Sequence, residues 1–297
     1  MGVECLAAAS GNGKGVTIAV LDSGVPVPFG FPDCHAWGPQ DDIDDYFGHA
    51  TAIASIFFGG NGIKGLCRAV EPFYIKVLDD SGVGTVKSVS EGIYFAIDHK
   101  VDLINLSLGF MRTEKCPKEL EKACEAAFEA KIPVFCAAGN DGGPVNWPAA
   151  LKSTICVGSA AENGLKTAFS SVGEVDFVAP GLDLRVLDTT GTPKKVSGTS
   201  FSTALVTGVA ALLLPELKKE GGYDVESVKD ALRRMSKDVG HPGWDDMTGY
   251  GLLAGKIGKN HDSTVGMKIE PRFFDRILNK LKSIFGFTKK EHRNGRV

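Results

Sequence analysis

Residues 16–24 read VTIAVLDSG, an apolar and β-branched run that ends on an aspartate, a serine and a glycine. A continuous run of this kind is typical of a short strand that is buried on both faces of a sheet. Similar runs recur along the chain, and segments with helical spacing of their apolar residues lie between them. Because strands that alternate with helices form βαβ units, the sequence predicts a three-layer α/β/α fold with a mostly parallel central sheet.

The predicted strands cover residues 16–21, 73–78, 103–106, 133–138, 155–157 and 175–178. The predicted helices cover residues 50–58, 86–100, 117–130, 202–214 and 225–235. Asp224 is the expected N-cap of the last helix. The charge balance shifts near residue 260, so we expect one domain over residues 1–260 and a basic tail over residues 261–297.

The tail is distinguished by its charge and its apolar pattern. Residues 268–297 contain nine Lys or Arg against three Asp or Glu, although the whole chain carries a net charge of -3. That overall charge predicts no binding of nucleic acid. Apolar residues at helical spacing predict an amphipathic helix over residues 271–287. We expect this helix to dock on the domain; peripheral contact with a membrane or a partner protein, and self-inhibition, are the alternatives.

The N-terminus and the cysteines bear on the cellular compartment. Residues 1–10, MGVECLAAAS, lack the basic region and the long apolar segment of a signal peptide. No apolar run reaches the roughly 18–20 residues that a membrane span needs. The seven cysteines are odd in number and form no CxxC pair, which favours buried thiols over disulfides. We therefore expect a cytoplasmic protein.

Three residues with reactive side chains lie where strands end or helices begin, the places at which sites form in open parallel sheets. Asp22 ends the first predicted strand, His49 precedes a helix in GHATAIAS, and Ser200 lies at the start of the most apolar helix. Taken singly, they are compatible with a loop carboxylate, a surface histidine and a helix-capping serine. Taken together, they supply a nucleophile, a general base and a carboxylate that orients the base.

Asn140 adds a fourth group to this set. It lies in FCAAGND, directly after a predicted strand. Its side-chain amide could donate to a developing oxyanion together with the backbone N–H of Ser200 at a helix N-terminus.

From about residue 13 to about residue 258 the chain resembles the subtilase family of serine proteases, and intracellular subtilisins in particular. The matching segments are AVLDSG (19–24), GHATAIAS (48–55), INLSLG (104–109), AAGN (137–140), SGTSFS (197–202) and GYGLLAGK (249–256). The order Asp, His, Ser along the chain is also that of subtilisin. The resemblance implies that Asp22, His49 and Ser200 form the catalytic triad and that Asn140 is the oxyanion donor.

The same resemblance implies a way of binding substrate. Subtilases bind an extended peptide as an added β-strand. The positions of this chain that match the peptide-binding segments are Gly82, Val83, Gly84, Ser107, Leu108, Gly109, Ala138 and Gly139. The last five would line the pocket for the side chain that precedes the scissile bond, and Asp141 is a candidate for favouring Lys or Arg there. Trp147-Pro148 matches a cis peptide bond of the family.

The resemblance does not extend to a metal site. The stretch between the His49 helix and the strand near Phe73 is too short for the loop that encloses calcium in secreted subtilisins, so we expect no metal and no cofactor. The acidic run of residues 41–45, DDIDD, lacks the spacing of a calcium loop. We interpret it as a solvated loop, with cation binding or attraction of basic substrates as alternatives.

The sequence thus predicts a serine endopeptidase that hydrolyses peptide bonds in protein or peptide substrates through an acyl-enzyme on Ser200. The alternative is a catalytically inactive subtilase fold that serves as a peptide-binding or scaffold module. Ala50 and Ala204 replace the Gly and Pro that are usual in the family, but neither change removes a reacting group. The intact triad therefore favours the enzyme.

Overall fold

The structure is a computed structural model that describes residues 11–26, 31–32, 34–38, 42–112, 114–161 and 163–253. The predicted tail over residues 261–297 and its helix over residues 271–287 lie outside the described residues, as does Asp41. The division of the chain into domain and tail therefore stays a prediction.

Eleven strands occur in the described part of the chain. In chain order they are β1 (Thr17–Asp22), β2 (His35–Trp37), β3 (Gly59–Gly60), β4 (Ile63–Lys64), β5 (Glu71–Lys76), β6 (Leu103–Leu106), β7 (Val134–Ala137), β8 (Ile155–Ala160), β9 (Phe177–Pro180), β10 (Leu184–Leu187) and β11 (Pro193–Val196). Seven of them form the central sheet in the order β2-β5-β1-β6-β7-β8-β9, and every adjacent pair runs parallel. The other four form two antiparallel hairpins, β3-β4 and β10-β11.

Within the described residues, five α-helices cover the two faces of this sheet. They are α1 (His49–Phe58), α2 (Val86–Asp98), α3 (Lys118–Glu129), α4 (Thr199–Lys219) and α5 (Val225–Met235). One hydrophobic core joins α1, α4 and α5 to one face, and a second core joins α2 and α3 to the other. Alternate residues of β1 enter different cores, as Val20 and Leu21 do, because successive side chains of a strand point to opposite faces. The predicted three-layer α/β/α fold is confirmed.

The helix α4 departs furthest from the prediction. It begins three residues earlier than expected and continues through Pro215 to Lys219. Burial of almost all its apolar residues in the core offsets the hydrogen bond that the internal proline removes. This helix is long and apolar enough to cross a membrane, contrary to the sequence-based expectation, but most of its apolar stretch is buried inside the domain. Its composition is therefore explained by its central place in the core.

The candidate catalytic residues lie at one edge of the sheet. Asp22 is the last residue of β1, Ser107 follows the end of β6, and Asn140 lies three residues beyond the end of β7. Because the carboxyl ends of parallel strands meet at a common edge, these residues converge although they are far apart in sequence. The first residues of α1 and α4 lie at the same edge, since His49 contacts Asp22 and Ser200 contacts Ser107.

Candidate active site

Asp22 and His49 form a direct pair. Asp22 is fully buried at the end of β1, and its two carboxylate oxygens lie 2.8 and 3.0 Å from Nδ1 of His49, the first residue of α1. The backbone N–H of Ser23 donates to the same carboxylate at 2.7 Å, which fixes its orientation. An ionised Asp22 suits a proton on Nδ1 of His49, and this tautomer leaves Nε2 as a proton acceptor.

The surroundings of His49 favour its charged form. Burial alone opposes the charge, but the attraction of Asp22 and the hydrogen bond to it outweigh burial, so that the pKa of His49 is raised above its usual value. Asp45 raises the pKa further, whereas Lys194 lowers it. The neutral base is thus the main form only at a pH above the usual pKa of histidine.

Ser200 is the second residue of α4 and is 9% exposed. Its hydroxyl donates to the carbonyl oxygen of Ser107 at 3.0 Å, and the Ser107 hydroxyl donates to the carbonyl oxygen of Ser200 at 2.8 Å. This reciprocal pair ties the end of β6 to the start of α4. The His49 ring lies 5.6 Å from the ring of Phe201, so the histidine packs beside the residue next to Ser200.

Asn140 is attached to the same helix terminus. Its side-chain oxygen accepts from the backbone N–H of Thr199 at 2.8 Å and from the Thr199 hydroxyl at 3.1 Å. Asn140 thus satisfies the first N–H of α4 from outside the helix, which explains why the helix begins earlier than expected. The oxygen is committed to Thr199, and the amide NH₂ has no acceptor within the described part of the chain. That NH₂ is therefore available to a ligand.

The peptide-binding segments meet around one cleft. A cleft of about 350 Å³ is lined by His49 together with residues 82–84 and residues 107–110. Phe47 forms a further wall, and its exposed ring lies against Gly82, where a side chain would clash with it. The structure thus brings six of the eight predicted binding residues together beside His49, the other two being Ala138 and Gly139.

Ala138 and Gly139 lie instead against Asn146, a residue that the sequence analysis did not single out. The backbone N–H of Asn146 donates to the carbonyl oxygen of Ala138 at 2.8 Å. A methyl group placed on Gly139 would lie 2.8 Å from Nδ2 of Asn146, and one placed on Gly109 would lie 3.2 Å from its Cβ. The Asn146 side chain therefore occupies the space between the two predicted walls of the specificity pocket. The neighbouring bond between Trp147 and Pro148 is cis, as expected.

Asp141, the candidate for attracting a basic side chain, is held by local contacts. Its carboxylate accepts from the Ser171 hydroxyl at 2.8 Å and from the Gly143 N–H at 3.0 Å. These hydrogen bonds, with that of Ser171 the stronger influence, lower the pKa of Asp141. Its part in specificity stays a prediction.

Asp45 is a second residue whose role the sequence analysis missed. The prediction of a solvated acidic loop is wrong for Asp45, because this carboxylate is only 2% exposed. It accepts from the N–H groups of Gly48 and Thr51 and from the Thr51 hydroxyl, each at 2.7 Å. Asp45 thereby places a negative charge at the N-terminus of α1, the helix that carries His49. No local pattern singles it out, because the N-cap position of α1 is Gly48 and several acidic residues precede the helix.

Ser23 connects the two carboxylates. Its hydroxyl lies 2.8 Å from Asp45 and 3.1 Å from Asp22, and it accepts from the N–H of Ala50 at 3.0 Å. The start of α1 is therefore held on the loop that follows Asp22. Across the residues that the structure describes, no three His, Cys, Asp or Glu side chains converge as metal ligands. The expectation of an enzyme without a metal stays a prediction.

Comparison with known proteins places this site in a family. A model of the subtilase family matches residues 13–251, and the chain therefore belongs to that family. The minor extracellular protease Epr of Bacillus subtilis is 31% identical over 264 residues, which are 82% of this chain but 38% of that protein. The intracellular serine protease of Paenibacillus polymyxa is 35% identical over 224 residues, covering 68% of this chain and 67% of that protein. The chain thus spans little more than a third of Epr and about two thirds of the second relative.

Solved structures agree with the family assignment. The prenylagaramide maturation protease PagA has a TM-score of 0.72 and 28% identity, covering 85% of this chain and 95% of that chain. The protease domain of PatA has a TM-score of 0.73, covering 90% of this chain and 95% of that chain; at 24% identity it supports the fold alone. Fold and family agree, and the relatives named here are proteases.

Proposed function

We propose that this chain is a serine endopeptidase that hydrolyses peptide bonds in proteins through an acyl-enzyme on Ser200. The observation that carries the proposal is the hydrogen bond between the buried Asp22 carboxylate and Nδ1 of His49. This pair lies at the same edge of the sheet as Ser200, at the start of α4. A carboxylate in this position favours the tautomer of His49 that can take a proton from a hydroxyl. The other members of the proposed site are Asn140 and the two segments that line the cleft.

The proposed reaction begins with attack of the Ser200 oxygen on the carbonyl carbon of the scissile bond, while Nε2 of His49 takes the hydroxyl proton. The negative charge that forms on the carbonyl oxygen accepts hydrogen bonds from the Asn140 amide and the Ser200 N–H. His49 then gives its proton to the departing amine, and the carbon–nitrogen bond breaks. In the second half of the reaction, His49 takes a proton from a water molecule, which attacks the acyl carbon. The bond between that carbon and the Ser200 oxygen then breaks, His49 returns the proton to Ser200, and the carboxylic acid product leaves.

Binding of a peptide prepares this step. In the absence of substrate, the Ser200 hydroxyl donates a hydrogen bond to the carbonyl oxygen of Ser107. We propose that the segment containing Ser107 pairs with the backbone of the substrate. A backbone N–H of the peptide would compete for the Ser107 oxygen and release the hydroxyl for transfer to His49. Catalytic hydrogen bonds are often long or poorly aligned in a free enzyme and tighten only when substrate is bound.

Labelling with a fluorophosphonate tests the proposal against an inactive peptide-binding module. The reagent forms a phosphonate ester on a serine, with loss of fluoride, only where a base and an oxyanion site activate that serine, so we expect one labelled residue, Ser200, by peptide mapping. We also expect cleavage of casein at internal bonds. A chain that binds peptides but takes up no label and cleaves nothing would be the inactive module instead.

Replacing Asn140 with Ala is expected to lower kcat by about 10²–10³-fold, the loss known for removal of such a donor in a subtilisin. KM should change little, because the Asn140 amide contacts the carbonyl oxygen chiefly after it becomes charged. Steady-state kinetics on one peptide substrate measures both constants. Asn163→Ala, a change at an exposed residue that does not line the cleft, is the matched control. An Asn140→Ala enzyme with a raised KM and an unchanged kcat would contradict the assignment.

Replacing Asn146 with Gly is expected to widen the specificity pocket. The Asn146 side chain stands between Gly109 and Gly139, so we expect the present enzyme to prefer short side chains before the scissile bond. In the Gly variant, kcat/KM for a peptide with Phe at that position should rise at least about 10-fold relative to the matching Ala peptide, the scale of discrimination that a pocket gives. The rate of fluorophosphonate labelling, which does not use the pocket, serves as the control. An unchanged preference would place the pocket elsewhere.

We further propose a reducing compartment, the cytoplasm, for this enzyme. Cys116, Cys124, Cys136 and Cys156 are buried thiols outside any disulfide. Burial raises the pKa of Cys116 to about 11 and raises that of Cys124 as well, so these thiols are unreactive. Similarity to an intracellular serine protease supports the same proposal. Cell fractionation with an antibody to the chain tests it.

A further inference from the structure

A buried lysine joins the loops that carry the candidate triad. Lys76 is the last residue of β5 and pairs in register with Asp22, the last residue of β1. Its side chain is 3% exposed, and its ammonium group donates to the carbonyl oxygens of Ser23 and Asp44 and to the carboxylate of Asp80, each at 2.8 Å. An ammonium group has three donors, so all of its hydrogen-bonding capacity is used.

Two of these three bonds hold backbone beside the proposed catalytic groups. Ser23 directly follows Asp22, and Asp44 directly precedes Asp45, whose carboxylate caps the helix that begins at His49. The lysine therefore fixes the loop of the triad acid relative to the loop of the triad base. The third bond, to Asp80, is different, because that carboxylate is largely exposed and an exposed ion pair contributes little.

Stability alone does not account for a cation at this position. Burying an ammonium group costs free energy, and an apolar side chain of similar volume would fill the space without that cost. Electrostatic attraction accounts for the cation instead, because two carboxylates, those of Asp22 and Asp45, are buried nearby and are linked through the Ser23 hydroxyl. Lys76 brings a positive charge to the two loops that carry these negative charges.

We propose that Lys76 is a positioning residue for the proteolysis proposed above: it aligns Asp22 with His49 by holding the carbonyl groups of Ser23 and Asp44. It touches no reacting atom and acts through these two loops. A misalignment of about 1 Å between catalytic groups can cost about 100-fold in rate. Loss of Lys76 should therefore slow the chemical step while leaving the cleft and its affinity for peptide in place.

The test compares Lys76→Met and Lys76→Arg with the wild type. Labelling each preparation to completion with a fluorophosphonate counts its competent active sites. The kcat per labelled site is then independent of any unfolded fraction. We expect Lys76→Met to lose about 10-fold to 100-fold in kcat per site with little change in KM. Lys76→Arg keeps the charge and the donors and should recover a large part of the loss. Lys87→Met removes an exposed lysine of α2 and should match the wild type.

The outcomes separate this proposal from a structural role and from the proposed function. A Met variant with the wild-type kcat per site, even if less stable to heat, would overturn the proposal, as would an Arg variant no faster than the Met variant. If the Met variant yields no labelled sites, Lys76→Gln, of similar volume, provides the same comparison. A wild-type chain that takes up no label would instead overturn the proposed function.

Discussion

The Ser200→Ala variant is expected to lose essentially all peptidase activity while keeping its fold. Removal of the nucleophile from a subtilisin lowers kcat by about 10⁶-fold, and the same order is expected here. The fold should survive because the Ser200 hydroxyl makes one hydrogen bond, to the carbonyl oxygen of Ser107, a residue that lines the cleft. Casein hydrolysis and fluorophosphonate uptake measure the first effect, and thermal unfolding measures the second.

Ser202→Ala is the matched control for this variant. Ser202 lies on the same helix, is fully buried, and donates to the carbonyl oxygens of Ala179 and Pro180 at 3.0 and 3.1 Å. Its removal should cost about 1 kcal/mol of stability, as for a typical hydrogen bond, without abolishing hydrolysis. If Ser200→Ala cleaved casein at the wild-type rate, or if Ser202→Ala were the inactive variant, Ser200 would not be the nucleophile.

The elements that the sequence predicts well are those specified by local signals. β1 is a continuous apolar run, and the structure places it within one residue of the prediction. α5 has its predicted bounds and its predicted N-cap, since the Asp224 carboxylate accepts from the Ser227 N–H at 2.8 Å. In both cases the residues that specify the element lie within it or directly beside it, so a pattern in the sequence is sufficient to predict it.

The elements that the sequence did not predict are either too short to show a pattern or depend on distant partners. β2 has three residues, and each strand of the β3-β4 hairpin has two, too few for periodicity to appear. The start of α4 is set by Asn140, which is 59 residues away. A pattern read along the chain cannot detect contacts of this kind.

The same distinction applies to the candidate site. Asp22, His49, Ser200 and Asn140 stand in recognisable motifs, so they could be proposed from the sequence, and the structure gathers them at one sheet edge. Asp45, Lys76 and Asn146 belong to no such motif. Their importance follows from burial and from contacts with residues far away, such as that between Lys76 and Ser23, which are 53 residues apart.

Replacement of Asp22 by Asn is expected to lower kcat by about 10⁴-fold while leaving the shape of the site intact. The Ser23 N–H donates to one oxygen of the side chain at 2.7 Å, so that atom must remain an oxygen in the variant. The amide NH₂ then takes the other position, 3.0 Å from Nδ1 of His49. With an amide oxygen at 2.8 Å and an NH₂ at 3.0 Å, the neutral side chain no longer fixes the proton on Nδ1 as a carboxylate does, and it cannot stabilise the positive charge that His49 gains on taking the proton of Ser200.

The pH dependence of the Asp22→Asn variant gives an independent readout. Burial opposes the charge on His49, and the attraction and hydrogen bond of Asp22 more than compensate, which is why the pKa of His49 is raised. Without the charge of Asp22 the effect of burial remains, so the pKa of His49 should fall. Activity requires neutral His49, so the acidic limb of kcat/KM, which reports the free enzyme, should move to lower pH. Asp42→Asn, an exposed change in the loop before α1, should leave the limb in place, and a limb unmoved in Asp22→Asn would show that another group sets it.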